Sequence, residues 1–280
     1  MDSTMLAFLA APFVASLILT GIHAYLGVHV VERGVIFVDL SLAQIAALGA
    51  TIAILLPISG GDPHAPIVYW VSLAFTFLGA FIFSTIRGHH ARIPLEAIIG
   101  ICYAVASAAA ILAMSKATSE SEHLKDMLVG NILAVSWLEV GKTAALYAAI
   151  GAFHFIFRKK FLAISMDPKK AEAAGISIPF WDFLFYASFG FVVTSSVAIA
   201  GVLLVFCYLI VPSVAAMLYA DTIGRRLAIG WTMGTVVSAL GVYLSLLVDL
   251  PTGATIVCTF GLVLALMAAV RPLFRRQAAA

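Results

Sequence analysis

Apolar runs of about 20 residues recur along this chain from end to end, and each is long enough to cross the hydrocarbon core of a bilayer as a helix. The 280 residues are 63% hydrophobic and 11% charged, and their mean hydropathy is +1.09. This composition lies far outside the range of soluble domains. We therefore predict an all-α fold, a polytopic helix bundle in the membrane, with no room for a separate soluble domain.

The apolar runs predict nine helices, at 5–29, 34–57, 65–87, 94–116, 138–158, 180–195, 199–220, 227–248 and 253–271. The sixth is short enough to form one broken unit with the seventh. Lys and Arg concentrate in the connections after the first, third, fifth and seventh helices and at the C-terminus. Because cytoplasmic loops attract Lys and Arg, this pattern favours nine helices with the N-terminus outside and the C-terminus inside. We expect them to form a single transmembrane domain over residues 1–280.

The second predicted helix carries four polar side chains in an otherwise apolar sequence: Asp39, Ser41, Gln44 and Thr51. An Asp at the centre of a membrane helix costs about 2.5–3.5 kcal/mol on insertion scales, so such a residue marks a functional site by default. At about 100° per residue, Ser41, Gln44 and Thr51 form one stripe, whereas Asp39 lies about 140° around the axis from Gln44. These groups either line a transport path or hydrogen-bond a neighbouring helix.

The connection at 158–179, RKKFLAISMDPKKAEAAGISIP, is amphipathic rather than apolar. Asp167 followed by Pro168 is a helix-start signal, good helix formers continue to Ala174, and Gly175 is a helix stop. The pattern predicts a short helix lying across the cytoplasmic surface. Such a helix either serves as a lever for a partner protein or belongs to an ordinary basic loop.

Several signatures of other protein classes are missing from the sequence. There is no GxxxxGK[ST] phosphate loop, so the chain cannot hydrolyse ATP itself. There is no HExxH motif and no paired nucleophile and base, which argues against an intramembrane enzyme. The three cysteines, Cys102, Cys207 and Cys258, lie in apolar runs without CxxC spacing and are expected to be core residues. We expect no permanently bound cofactor and no nucleic-acid partner.

Four sequence blocks follow one another in a fixed order: DMLVGNILAVS at 126–136, ISMDPKKAEAAGI at 164–176, VAIAGVLLVFCYLIVPSVAAML at 197–218 and SALGVYLSLLVDLPTGATIV at 238–257. Together they resemble the membrane permease of the ABC-3 family, the bacterial zinc, manganese and iron ABC importers. The first block resembles an external segment of that family and the second its coupling segment. The third resembles a hallmark helix that ends in a proline and small residues. The last resembles its closing signature, with Thr252 in place of the usual serine.

This resemblance implies a transport machine of several subunits in the bacterial cytoplasmic (inner) membrane. Two copies of the permease pair around a central path, two cytoplasmic ATP-binding-cassette ATPase subunits dock on the coupling segments at about 159–179, and an external metal-binding protein delivers a divalent metal ion. The resemblance also implies roles for individual residues: coupling for Asp167, Pro168, Ala171 and Gly175, gating or a hinge for Pro212 and Ser213, and an outer entrance for Asp249.

The chain departs from the family pattern on its second helix. Members often carry an Asp and a His four residues apart there, thought to line the metal path. Aligned on Gly49, the histidine position is Gln44, the Asp position is Leu40, and Asp39 falls one residue early. Asp39, Ser41 and Gln44 are therefore the candidate ligands of the transit path. Their oxygen atoms favour manganese or iron(II) over zinc.

Two other transporter classes remain open at this point. One is a permease for cobalamin or chelated iron, which usually has a longer chain and about ten helices by family resemblance. The other is an ion-coupled secondary transporter that works without an ATPase. A neighbouring ATPase gene would favour the ABC importer, whereas inverted repeats in the chain would favour the secondary transporter.

Overall fold

The computed structural model describes residues 3–59, 62, 65–87, 94–114 and 132–277. Within these ranges the chain forms ten α-helices and two short 3-10 turns, with no β-strand. The helices are α1 (Ser3–Glu32), α2 (Val38–Leu55), α3 (Pro66–Arg87), α4 (Leu95–Met114), α5 (Trp137–Ile156), α6 (Arg158–Met166), α7 (Pro168–Ala173), α8 (Ile178–Tyr219), α9 (Ile223–Val248) and α10 (Thr252–Gln277). The all-α prediction is confirmed for the described part of the chain.

The predicted membrane helices correspond to α1 to α5 and α8 to α10. Among the described residues, seven helices are long and apolar enough to cross a membrane, or eight if the bent pair α5 and α6 forms one span. Helix α8 is counted once although it has 42 residues. As a straight helix it would extend about 63 Å, twice the roughly 30 Å of a hydrocarbon core. Its backbone leaves the helical conformation at Gly201 (φ 75°, ψ 161°), so the predicted break between 195 and 199 lies slightly later in the chain.

The described helices belong to two compact units, each assembled from stretches that are far apart in the sequence. The first comprises Met1–Val31, Leu128–Ala149 and Ile199–Ala280. The second comprises Glu32–Met127 and Ile150–Ala198.

Close backbone contact between α1 and α8 characterises the first unit. A Cβ placed on Gly27 would lie 1.9 Å from the Leu209 carbonyl oxygen and 2.3 Å from Ser213 Oγ. The Ser213 hydroxyl donates to the Leu209 carbonyl (2.9 Å) and lies 3.3 Å from the Ala24 carbonyl. Small residues permit such an approach between membrane helices, where packing rather than hydrophobicity drives association.

Helix α2 is central to the second unit and packs against both α3 and α4. Gly49 allows the approach to α3, because a Cβ there would lie 2.9 Å from Phe75. Ser72 donates across the same contact to the Ala46 carbonyl (2.9 Å). Further along α3, the hydroxyl oxygens of Thr76 and Thr194 are 3.2 Å apart. The hydroxyls of Ser72, Thr76 and Thr194 therefore have hydrogen-bond partners within the unit. Two polar side chains at the start of α2 differ from them in this respect.

The connection at 158–179 forms two helices rather than one. Helix α5 ends at Ile156, and α6 leaves it at an angle of 73°. The sequence did not predict α6. Helix α7 occupies the predicted position, from Pro168 to Ala173.

Candidate transport path and coupling helix

Two buried polar side chains of the second unit lie in the first turn of α2. The Asp39 side chain is 1% exposed and Ser41 is fully buried. Within the described part of the chain, neither carboxylate oxygen of Asp39 nor the Ser41 hydroxyl has a hydrogen-bond partner. Gln44 is partly exposed. A buried polar group without a partner is costly, so Asp39 requires an explanation beyond packing.

The polar stripe predicted on α2 separates into groups with different environments. Thr51 donates its hydroxyl to the Ala47 carbonyl of its own helix (2.9 Å), which satisfies it locally. Asp39 and Ser41 lie about 200° apart around a regular helix. They therefore face nearly opposite directions and are unsuited to binding one ion together. Among the described residues, no group of three or more His, Cys, Asp or Glu side chains is arranged to hold a metal.

A second carboxylate contacts the start of α2. Glu96, in the first turn of α4, accepts a hydrogen bond from the backbone N–H of Phe37 through Oε1 (3.1 Å). Phe37 occupies the N-cap position of α2, two residues before Asp39. Sequence reasoning missed Glu96, although its place just after Pro94 at a predicted helix start is a signal for a capping carboxylate. The beginning of α2 is thus held by one acidic residue and contains another.

The local signals for α7 are borne out in atomic detail. Asp167 is its N-cap, and Oδ1 accepts a hydrogen bond from the Lys170 backbone N–H (3.1 Å). That bond holds the pKa of Asp167 below its ordinary value of 3.8, with further help from the Lys170 side chain. Pro168 occupies the first helical position. At the other end, Gly175 has φ +76°, a conformation that favours glycine.

The predicted coupling residues differ in what they present to a partner. Ala171 is 2% exposed and anchors α7 to the rest of the unit. Its carbonyl accepts a hydrogen bond from the Ile176 N–H (3.0 Å), which completes the helix end with Gly175. The charged side chains exposed on α7 are instead those of Lys169, Lys170 and Glu172. Sequence reasoning did not single out these three as the contact surface.

A buried ion pair lies close to α7 in the chain. Arg33, in the turn between α1 and α2, places Nη1 2.6 Å from Oδ1 of Asp182, and both side chains are fully buried. Its Nε donates to the hydroxyl of Ser165 on α6 (2.9 Å). The sequence suggested only that Arg33 was a loop charge that orients the chain in the membrane. The signal that could have indicated otherwise is Asp182, a lone charge within a predicted apolar helix.

The remaining predicted residues have clear structural surroundings. Pro212 lies inside α8, and Ser213 joins α8 to α1 as described above. Asp249 is the C-cap of α9 in the left-handed conformation (φ 52°, ψ 50°) and is exposed. Just before and after it, the Ser245 and Thr252 hydroxyl oxygens are 3.0 Å apart. Gating by Pro212 and Ser213 and an entrance at Asp249 stay predictions. Of the predicted external segment at 126–136, residues 126–131 lie outside the described ranges.

Comparison with known proteins decides the class of the chain. The model of the ABC 3 transport family matches residues 5–271. The chain belongs to the ABC 3 transport family. It is therefore a multi-pass membrane transport subunit, and the resemblance drawn from its sequence blocks is confirmed.

Several members of the ABC 3 family align with most of the chain. The manganese transport system membrane protein MntC of Listeria monocytogenes is 29% identical over 202 residues, which cover 70% of this chain and 71% of that protein. The manganese import system permease protein ScaB of Streptococcus gordonii is 25% identical over 260 residues, covering 91% and 88%. A solved structure of PsaBC from Streptococcus pneumoniae in complex with Fab superimposes with a TM-score of 0.76 at 25% identity, covering 93% of this chain and 90% of that one.

Proposed function

We propose that this chain is the permease subunit of an ABC importer that carries a divalent transition metal ion into the cytoplasm, with manganese as the cargo. The observation that carries the proposal is the buried Asp39 carboxylate, which has no hydrogen-bond partner among the described residues of an ABC 3 family member. Relatives named as manganese permeases support the cargo. So does ligand chemistry, since carboxylate and hydroxyl oxygens suit manganese better than zinc.

In this proposal Asp39 is a temporary ligand of the passing ion. A divalent cation supplies the countercharge that the carboxylate lacks in the bundle. Gln44 lies about 140° away around the helix, so it forms a separate binding position along the path rather than part of the Asp39 site. Ser41 lies about 60° around the helix from Gln44 and so shares the side of Gln44 rather than that of Asp39. Weak, separate contacts suit a path, because a transported ion must leave each of them quickly.

The same proposal assigns the partners. Two ATPase subunits dock on α7 through its exposed charged side chains, an external binding protein delivers the metal, and a second copy of the chain completes the path. The Lys- and Arg-rich connections support a C-terminus in the cytoplasm and an N-terminus outside. Pro212 and Ser213 act as hinge positions, and Asp249 forms part of the outer entrance.

Growth rescue tests the cargo. The chain is expressed with the ATPase and binding protein encoded beside it in a bacterial strain that lacks its own manganese, zinc and iron importers. We expect rescue in manganese-limited medium and uptake of radioactive manganese that excess zinc inhibits only weakly. Rescue confined to zinc or to iron would refute manganese as the cargo. Rescue by none of the three metals would refute the metal importer itself.

A further inference from the structure

The turn between α1 and α2 is fixed to two other helices by a single side chain. Arg33 contacts Asp182, the fifth residue of α8 (2.6 Å), and Ser165 on α6 (2.9 Å). Its Cζ also lies 3.9 Å from the centre of the Phe185 ring. We call these four residues the Arg33 cluster. Helices α6 and α8 therefore meet, at one guanidinium, a turn that lies more than 130 residues earlier in the chain.

A need for stability does not explain such a cluster. A buried ion pair recovers in attraction roughly what its two charges lose in hydration, and apolar side chains of similar volume often serve as well. Apolar side chains, however, do not fix the relative orientation of the groups that they contact. The guanidinium is planar and offers donors in a rigid fork, so each bond fixes an angle as well as a distance. The Arg33 cluster therefore holds three segments in a defined relative orientation.

The positions of these segments in the chain suggest what the orientation serves. Ser165 lies two residues before Asp167, the N-cap of α7. Arg33 lies six residues before Asp39. Between Arg33 and Asp39 the backbone is ordered by hydrogen bonds, including Val38 N–H to the Val35 carbonyl (3.1 Å). A displacement of α7 thus reaches the start of α2 through only a few covalent and hydrogen-bonded steps.

We infer that Arg33 is a positioning residue that transmits movement of α7 to α2 and so controls access to Asp39. The inference rests on the proposed function, because the movement of α7 comes from the partner ATPase. When α7 moves, Ser165 moves with α6, and the guanidinium transfers the displacement to the turn that begins α2. Asp182 holds the guanidinium in its orientation while this occurs.

The test measures manganese uptake and ATP hydrolysis together, in vesicles that contain the whole complex. The main variant replaces the ion pair by an apolar one, Arg33→Met with Asp182→Leu. We expect its melting temperature to match that of the wild type and its ATP hydrolysis to continue. Manganese uptake per ATP should fall at least tenfold. Arg225→Gln, which removes an exposed arginine in the first turn of α9, is the matched control and should leave the ratio unchanged.

Two milder variants decide the matter if the apolar pair does not fold. Ser165→Ala keeps the ion pair but removes the contact to α6, and Arg33→Lys keeps the charge but not the fork. Each should lower uptake per ATP several-fold at an unchanged melting temperature.

Wild-type ratios in the variants that fold would overturn the inference while leaving the importer intact. An absence of ATP-driven manganese uptake in the wild-type complex would overturn the proposed function, and the inference with it.

Discussion

Replacing Asp39 by Asn should affect stability and transport in opposite ways. The two side chains have nearly the same shape, so the substitution removes the charge without creating a cavity. Asp39 is 1% exposed, and neither of its oxygens has a hydrogen-bond partner within the described residues. If the Asp39 carboxylate is a ligand for the transported cation, it is uncompensated whenever no cation is bound and then destabilises the protein. Replacing it by a neutral amide should therefore not lower the stability of the protein.

The magnitude follows from the burial. An Asp at the centre of a membrane helix costs about 2.5–3.5 kcal/mol, and this sets the upper limit of the gain for Asp39→Asn. A position in the first turn of α2 reduces the cost of the charge by about 0.3–1 kcal/mol through the helix dipole. The gain in unfolding free energy on substitution therefore has an upper limit of about 1.5–3 kcal/mol. A carboxylate that served as a structural acceptor would instead lose about 1–3 kcal/mol on substitution.

Two measurements on one preparation separate these cases. Thermal unfolding in lipid nanodiscs gives the sign of the stability change, and uptake of radioactive manganese at limiting concentration gives the transport rate. We expect equal or higher stability with uptake reduced at least tenfold, in the range found when the support of a metal ligand is lost. Asp221→Asn, at an exposed aspartate between α8 and α9, is the control and should change neither quantity. Wild-type uptake, or a loss of stability above about 1 kcal/mol, would refute a ligand role for Asp39.

Three further predictions concern the packing of the first unit and the ends of α7. Gly27→Ala should destabilise the protein by about 1–3 kcal/mol in thermal unfolding, because the added methyl group would lie 1.9 Å from a carbonyl oxygen. Gly21→Ala on the same helix, where nothing lies within 4 Å, should not. Gly175→Val should strain the end of α7 by about 1–2 kcal/mol at its φ of +76°, and manganese uptake per ATP should fall. Because the pKa of Asp167 is lowered by the bond from the Lys170 N–H, its stabilisation of α7 is fully present above pH 3.8 and is lost as the pH falls through the lower folded value. The hydrogen-exchange protection factors of the α7 amides should therefore fall in acid in the wild type but not in Asp167→Asn, which keeps the cap without the titration.

Local signals in the sequence predicted most of the fold. Apolar runs of membrane length located the long helices, since length and hydropathy alone specify a span. Asp167, Pro168 and Gly175 located α7, because capping depends on residues within one turn of the helix end. The break in α8 was also anticipated, but Gly201 was not identified as its position. A glycine in an apolar run is equally compatible with close helix packing.

Contacts between residues far apart in the sequence could not be predicted from such local signals. Arg33 and Asp182 are 149 positions apart, and neither residue carries a local sign of its partner. The preference of Lys and Arg for cytoplasmic loops already accounted for Arg33, so there was no local reason to expect a buried partner. Glu96 and Phe37 are 59 positions apart and were missed for the same reason. For Asp39 the sequence indicated an unusual residue, but only the packing of α2 revealed that it is buried without a partner among the described residues.

Transport by the purified chain, with and without its partners, tests the central claim most directly. The chain is placed in sealed vesicles either alone or with its ATPase and external binding protein, and entry of manganese is followed after ATP is supplied on the side of α7. We predict entry only when the partners and ATP are both present, with none from the chain alone. Sustained manganese flux through the chain without an ATPase would contradict the account, since this chain would then be a transporter that drives itself.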